Sequence, residues 1–160
     1  MKNIILFLFL SLPVIGMGQI NDCNVQITTD EYTKQKTIET EYQTINNGKY
    51  KFTVDGNNIY MYLRLDQPSA FTVYKTDTLY MLFDDKEILK YSFIIPFYSK
   101  YNEYDEKFQV FVIVALTPKM FNKMGKVKIT GIKLLFEYSF SEDSKNILIK
   151  DLSCIEKYLK

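Results

Sequence analysis

Residues 50–65 read YKFTVDGNNIYMYLRL, and their alternation decides the fold. Tyr50, Phe52 and Val54 alternate with Lys51, Thr53 and Asp55. After Asp55-Gly56-Asn57-Asn58, Ile59, Met61, Leu63 and Leu65 alternate with Tyr60, Tyr62 and Arg64. Successive side chains of a strand point to opposite faces, so a period of two puts one set into a core and leaves the other outside. Gly and Asn between the runs accept the positive φ that a tight turn requires. The stretch predicts an antiparallel hairpin with a well-defined inward face.

The same signals recur outward in both directions. Val25 to Thr28 and Thr37 to Ile45 read as two strands, the second entering a hairpin at Asn46-Asn47-Gly48. Gln67-Pro68-Ser69 breaks the chain. Phe71 and Val73 resume the alternation, Leu79, Met81 and Phe83 continue it after Thr76-Asp77, and Asp84-Asp85-Lys86 turns into Ile88 to Ile95. Val110 to Leu116 is apolar at nearly every position, which predicts a central strand covered on both faces. Thr117, Pro118 and Gly125 bracket two helical turns as cap, first-turn proline and terminator. Val127 to Phe140 reads as one long strand whose inward parity slips at Thr130-Gly131, as a β-bulge there would require. After a polar link from Ser141, Leu148, Leu152, Ile155 and Leu159 form the stripe of an amphipathic helix. The expected fold is mainly β: an antiparallel β-sandwich or strongly curled sheet of roughly eight or nine strands, with one short helix and a C-terminal amphipathic helix.

Lys2, the apolar run Ile4 to Ile15 and Gly16-Met17-Gly18 have the three regions of a signal peptide, cleaved before Gln19. Residues 1–18 are then an address and 19–160 a single β-rich domain, exported to the periplasm or secreted, with no stable membrane span after cleavage. Export permits disulfides, and Cys23 and Cys154 stand near the two ends of the mature chain. Either they staple those ends or they remain as two thiols.

The chain carries 20 Lys+Arg against 19 Asp+Glu, and losing Lys2 with the leader leaves it neutral, which argues against nucleic acid as a partner. It has no histidine, so Ser-His-Asp and Cys-His catalysis, imidazole shuttles and His-ligated metals are outside its means. Tryptophan is absent too, whereas 13 Tyr and 12 Phe supply the material for a real core and for sticky surfaces. The carboxylate pairs Glu39/Glu41, Asp84/Asp85 and Glu103/Asp105 lie on loops or exposed alternations, unlike the desolvated pair of a glycosidase. The expectation is a protein without catalytic residues, metal site or cofactor.

Two groups of residues are candidates for binding. In the segment Pro96 to Lys107, Phe97, Tyr98, Tyr101 and Tyr104 interleave with Glu103, Asp105 and Glu106. Tyrosines give flat, amphipathic contact area with few torsions to freeze, so the segment reads either as a docking surface or as a plug for the open end of the sandwich. Tyr60, Tyr62 and Arg64 share the other face of their strand, with Tyr74 and Tyr80 as prospective neighbours. They form a platform if that face is open, or a second core layer if the C-terminal helix covers it. Lys119, Lys123, Lys126, Lys128 and Lys133 scatter over more than one face and read as solvated surface.

Asp30-Glu31-Tyr32-Thr33 with Thr37-Ile38-Glu39-Thr40 resembles the opening of small uncharacterised exported proteins of Bacteroidetes-type bacteria. Leu63-Arg64-Leu65, and Leu116-Thr117-Pro118 leading into Lys128-Ile129-Thr130-Gly131-Ile132-Lys133-Leu134, are similar to the middle and later parts of the same pattern. The resemblance implies an exported, mostly β domain and carries no activity or ligand. The function expected is that of a non-catalytic binding module docking a protein partner of the cell envelope through the aromatic-acidic segment. The alternative is a glycan-binding accessory domain that stacks sugars on its tyrosines.

Overall fold

The structure is a computed structural model and describes residues 23–159. The leader and its cleavage before Gln19 lie outside the described residues. Within them the strands are β1 (Val25–Thr29), β2 (Lys36–Thr40), β3 (Gln43–Ile45), β4 (Gly48–Asp55), β5 (Asn58–Gln67), β6 (Thr72–Val73) and β7 (Thr78–Phe83). They continue with β8 (Ile88–Ser92), β9 (Phe97–Tyr98), β10 (Lys100–Asn102), β11 (Lys107–Ala115), β12 (Ile129–Lys133) and β13 (Glu137–Ser139). Helix α1 (Pro118–Met124) and helix α2 (Glu142–Tyr158) complete the chain. All strand pairs are antiparallel. The larger sheet runs β1-β2-β4-β5-β11-β10 with β3 beside β4, the smaller runs β13-β12-β7-β8, and β6 pairs with β9. The fold is thus mainly β and sandwich-like, as the alternation predicts.

The β4–β5 hairpin sets the core. Its register places Tyr50 opposite Leu63, Phe52 opposite Met61 and Val54 opposite Ile59, so the inward sets meet. Their side chains join Val110, Val112 and Val114 of β11, Leu79, Met81 and Phe83 of β7, and Ile129, Ile132 and Tyr138 of the smaller sheet in one cluster. Full burial of each large apolar side chain contributes about 1.5–3 kcal/mol before entropy is subtracted. Helix α2 adds Leu148, Leu152 and Ile155 to the same cluster, and Tyr50 donates its hydroxyl proton to the Ser144 carbonyl at 3.2 Å. Leu159, the fourth member of the expected stripe, is exposed.

Local signals behave as expected at several points. Asn47 and Gly56 have φ of 56° and 58°, closing the two hairpins. Gly48 cannot be larger, because a Cβ there would run into the Arg64 carbonyl oxygen of the neighbouring strand. Thr117 caps α1 by accepting a hydrogen bond from the Met120 amide, and Gly125 closes it on the Phe121 carbonyl. The β12–β7 register slips between Ile129 and Gly131, so Ile129 and Ile132 are both buried despite opposite parity. Cys23 and Cys154 are bonded, with Cα atoms 5.8 Å apart across 131 residues of sequence. Of the two outcomes left open by the sequence, the disulfide is the one found.

Other expectations are corrected. The described residues hold thirteen strands rather than eight or nine, because turns divide two long runs and the aromatic-acidic segment forms two short strands of its own, Phe97–Tyr98 and Lys100–Asn102. Thr37 to Ile45 breaks at Glu41 and Tyr42, both exposed, and Val127 to Phe140 breaks where Leu134 donates to the Phe136 carbonyl. Most consequential is Val110 to Leu116. Val110, Val112 and Val114 are buried, but Phe111 is 52% and Ile113 38% exposed. The strand is covered on one face only. On its outer side it is paired just at Lys107, Phe108 and Gln109, by the three residues of β10.

Candidate functional site

The open face of the larger sheet gathers residues from four strands. Strand register aligns Lys49, Arg64 and Phe111 in one row across the sheet, Lys51, Tyr62 and Ile113 in the next, and Thr53, Tyr60 and Ala115 in the third. Their side chains point away from the core because they carry the parity opposite to Tyr50, Leu63 and Val112. Helix α2 lies on the Tyr50 side, so it does not cover Tyr60, Tyr62 and Arg64, and that face is not a second core layer. The three residues are half-buried among their cross-strand neighbours. Tyr74 and Tyr80 are not among those neighbours: Tyr74 is an exposed loop residue and Tyr80 sits on β7 of the other sheet beneath the Lys90 ammonium. Lys51 Nζ stands 5.3 Å from the Tyr42 ring centre and 5.5 Å from that of Tyr62, and 3.0 Å from a Glu39 carboxylate oxygen. The cation thus fastens two rings together on the surface.

The aromatic-acidic segment adjoins this face. Phe97 turns inward, half-buried and edge-on to Phe93 at 5.6 Å, so the plug reading holds for that ring. Tyr98, Tyr101 and Tyr104 turn outward, with 66%, 55% and 99% of their surface exposed. Glu103 is exposed beside them. The tip is built by Asn102, whose Oδ1 accepts from the Tyr104 and Asp105 amides at 2.9 and 3.3 Å while its Nδ2 donates to Gln109. Gln109 Nε2 donates to Asp105 at 2.5 Å. Arg64 joins the two candidate groups: Nη2 pairs with Asp66 at 3.0 Å and Nη1 with Asp105 at 3.5 Å. Arg64 Nε and Asp66 Oδ1 are buried without a protein partner, so this junction is incompletely satisfied.

Past residue 99 the chain running back from β10 leaves β11 to pair with β6, Thr72 opposite Tyr98 and Val73 opposite Phe97. An apolar groove of about 200 Å³ opens where the strands part. Tyr60, Ile113 and Ala115 form its sheet wall, and Phe93, Ile94 and Ile95 its other wall. Ile94 is 87% exposed and Ile95 54%. The Tyr91 hydroxyl accepts the Ala115 amide at 3.3 Å and closes one end. The sequence reading places Ile94 and Ile95 in a strand and Phe111 and Ile113 in the core, so it misses this groove; the Pro96 that ends their run is its only local signal.

A second cavity, beside the disulfide, is polar: Asn24, Glu41, Gln43, Ile147, Lys150 and Asp151 line it. Burial pushes the Asp151 carboxyl up to about 7, with Lys150 opposing the shift and Glu41 adding to it. Its Oδ2 has no protein partner. The sequence reading does not single out Asp151. The expected carboxylate pairs are otherwise occupied: Glu39 meets Lys51, and Asp85 is held below the usual carboxylate range by its hydrogen bond from Lys123. Lys123 also meets Glu87, Lys128 meets Glu142 and Lys133 meets Glu137, so these lysines are salt-bridged surface. No helix among the described residues is long and apolar enough to cross a membrane. No protein-family model, curated protein or solved structure matches the chain.

Proposed function

We propose that this chain is an exported, non-catalytic binding module that docks a protein partner through the Tyr98–Tyr104 segment and the sheet face joined to it by Arg64. One observation carries the reading: Ile94, Ile95, Tyr98, Tyr104, Phe111 and Ile113, six of the exposed large apolar side chains, fall within twenty residues of sequence around a single splayed edge, and Tyr101, exposed on the other face of β10 against Phe108, extends the aromatic rim around that edge. Exposed apolar side chains scattered singly are ordinary, but a contiguous group rimmed by polar residues marks an interaction surface. Tyrosine is the residue type that such surfaces favour. The Asn102–Asp105–Gln109 network holds the tip in one shape, which lowers the ordering cost of docking. Export is supported by the Cys23–Cys154 bond, which persists in oxidising compartments, and by the leader pattern ahead of it.

The test is photo-crosslinking in the producing cells from a benzophenone at position 101, with position 32 as the exposed control. A discrete protein adduct from 101 and none from 32, lost in a Tyr98→Ser/Tyr104→Ser variant that melts at the parental temperature, is the expected result. Equal adducts from both positions, or an adduct indifferent to the two substitutions, would refute the reading. A polysaccharide adduct would transfer the site to the glycan alternative.

A further inference from the structure

We propose that the polar cleft beside the Cys23–Cys154 bond is a second binding site, separate from the docking edge, which holds one sugar unit of a neutral glycan and lays the next on Tyr42. The cleft, about 450 Å³, has three walls: Asn24 just ahead of β1, Glu41 and Gln43 where β2 passes into β3, and Lys150 and Asp151 on α2. The disulfide ties the first wall to the third, since Cys23 precedes Asn24 and Cys154 lies one helical turn beyond Lys150 and Asp151. A second cleft of about 380 Å³ shares Asn24 and Glu41 and continues to Tyr42 and Lys51. Both volumes are those of ligand pockets.

Asp151 is the group that asks for a ligand. The residue is 8% exposed, its Oδ2 is sealed without a protein partner, and Oδ1 is the oxygen open to the cleft. Placing the carbonyl of a protonated carboxyl on the sealed side leaves no charge unpartnered and turns the O–H into the cleft. The Asn24 and Gln43 amides and the Lys150 ammonium make no hydrogen bond to another side chain among the described residues. Each amide offers a carbonyl and an NH₂ in one plane, and each sugar hydroxyl both donates and accepts, so neighbouring hydroxyls satisfy these walls in pairs. Tyr42 supplies a flat apolar surface for the next unit: Lys51 Nζ stands 5.3 Å from its ring centre, and 45% of the residue stays exposed. Other ligand classes conflict with the walls. A phosphate meets the Glu41 carboxylate, a metal ion or polyamine meets the Lys150 ammonium beside a protonated Asp151, and an apolar group leaves both amides unpaired.

Chemical-shift mapping on the purified, isotope-labelled mature protein tests this, with maltose, cellobiose and N,N′-diacetylchitobiose as neutral probes in the millimolar range. At least one should give a saturable shift of the Asn24 and Gln43 side-chain amides and of the Lys150 and Asp151 backbone amides, while the Tyr98 and Tyr104 amides stay still. Asp151→Leu removes the donor at a similar side-chain size and should weaken that binding at least tenfold. Gln43→Ala, with the same expected loss, serves if the first variant does not fold. No saturable shift with any of the three sugars, shifts centred elsewhere, or binding unchanged by the substitution would overturn the proposal. So would saturation of the same amides by glycine, inorganic phosphate, calcium or putrescine while the neutral sugars leave them unmoved. The docking reading stands or falls separately, since its adduct at position 101 depends on Tyr98 and Tyr104, which neither cleft includes.

Discussion

Replacing Asp151 by asparagine should remove a large part of the pH dependence of stability. The carboxyl is 8% exposed, faces Glu41 and Lys150 across the cavity, and has one oxygen without a partner. Its folded pKa of about 7 stands against 3.8 for the ordinary group. Each unit corresponds to about 1.36 kcal/mol, so ionising the folded protein costs about 4 kcal/mol in full. The sign follows from proton counting. Between those two pKa values the folded state holds a proton that the unfolded state has released, so stability falls as pH rises through that interval and levels off above about 7. From pH 5 to pH 8 the parental protein should lose about 3 kcal/mol on this account, on the order of 10 °C in melting temperature. The asparagine variant carries a constant offset for its own unpartnered amide, and groups titrating elsewhere are common to both proteins. Urea unfolding at pH 5, 6, 7 and 8 should therefore give a stability difference that shifts in the variant's favour by about 3 kcal/mol across the series. A difference independent of pH would refute the assignment of a buried, protonated carboxyl.

Three further outcomes are expected. Cys154→Ala opens a loop of 131 residues and should cost about 5 kcal/mol in the loop-entropy account, seen as a lower urea midpoint that reducing agent reproduces in the parent. Gly48→Ala drives a methyl into the Arg64 carbonyl and should destabilise by about 1–3 kcal/mol, whereas Gly56→Ala is crowded by nothing closer than Gln35 and should pay only for its positive φ. Asp105→Asn should cost at most about 1 kcal/mol, because Arg64 keeps Asp66, yet it should loosen the tip, read as faster exchange of the Tyr104 amide.

Much of the fold is legible in sequence because period-two alternation and turn chemistry are local. Tyr50 to Leu65, the Thr117 cap and the Thr130-Gly131 slip each carry their instruction within a few residues. What is not legible depends on which face finds a neighbour. Phe111 and Ile113 have core composition, but nothing in the chain says that the second sheet and α2 both pack on the Tyr50 side and leave theirs open. The segment after Pro96 is readable as aromatic and acidic, while its peeling from β11 to β6 is a tertiary choice. Asp151 was within reach: three residues beyond Leu148 and three before Cys154, helical spacing alone sets it on the buried side of α2.

Tyrosine footprinting with a membrane-permeant radical probe, run on the purified protein and again in the cells that produce it, tests the docking surface most directly. Tyr32, 95% exposed and far from the splayed edge in sequence, is the internal reference. In the purified protein Tyr104 should label as readily as Tyr32 and Tyr98 and Tyr101 somewhat less, in keeping with their exposure, and all three should fall well below those ratios to Tyr32 in cells. Labelling of all four that is the same in both settings would contradict a partner bound over the tyrosine-bearing edge.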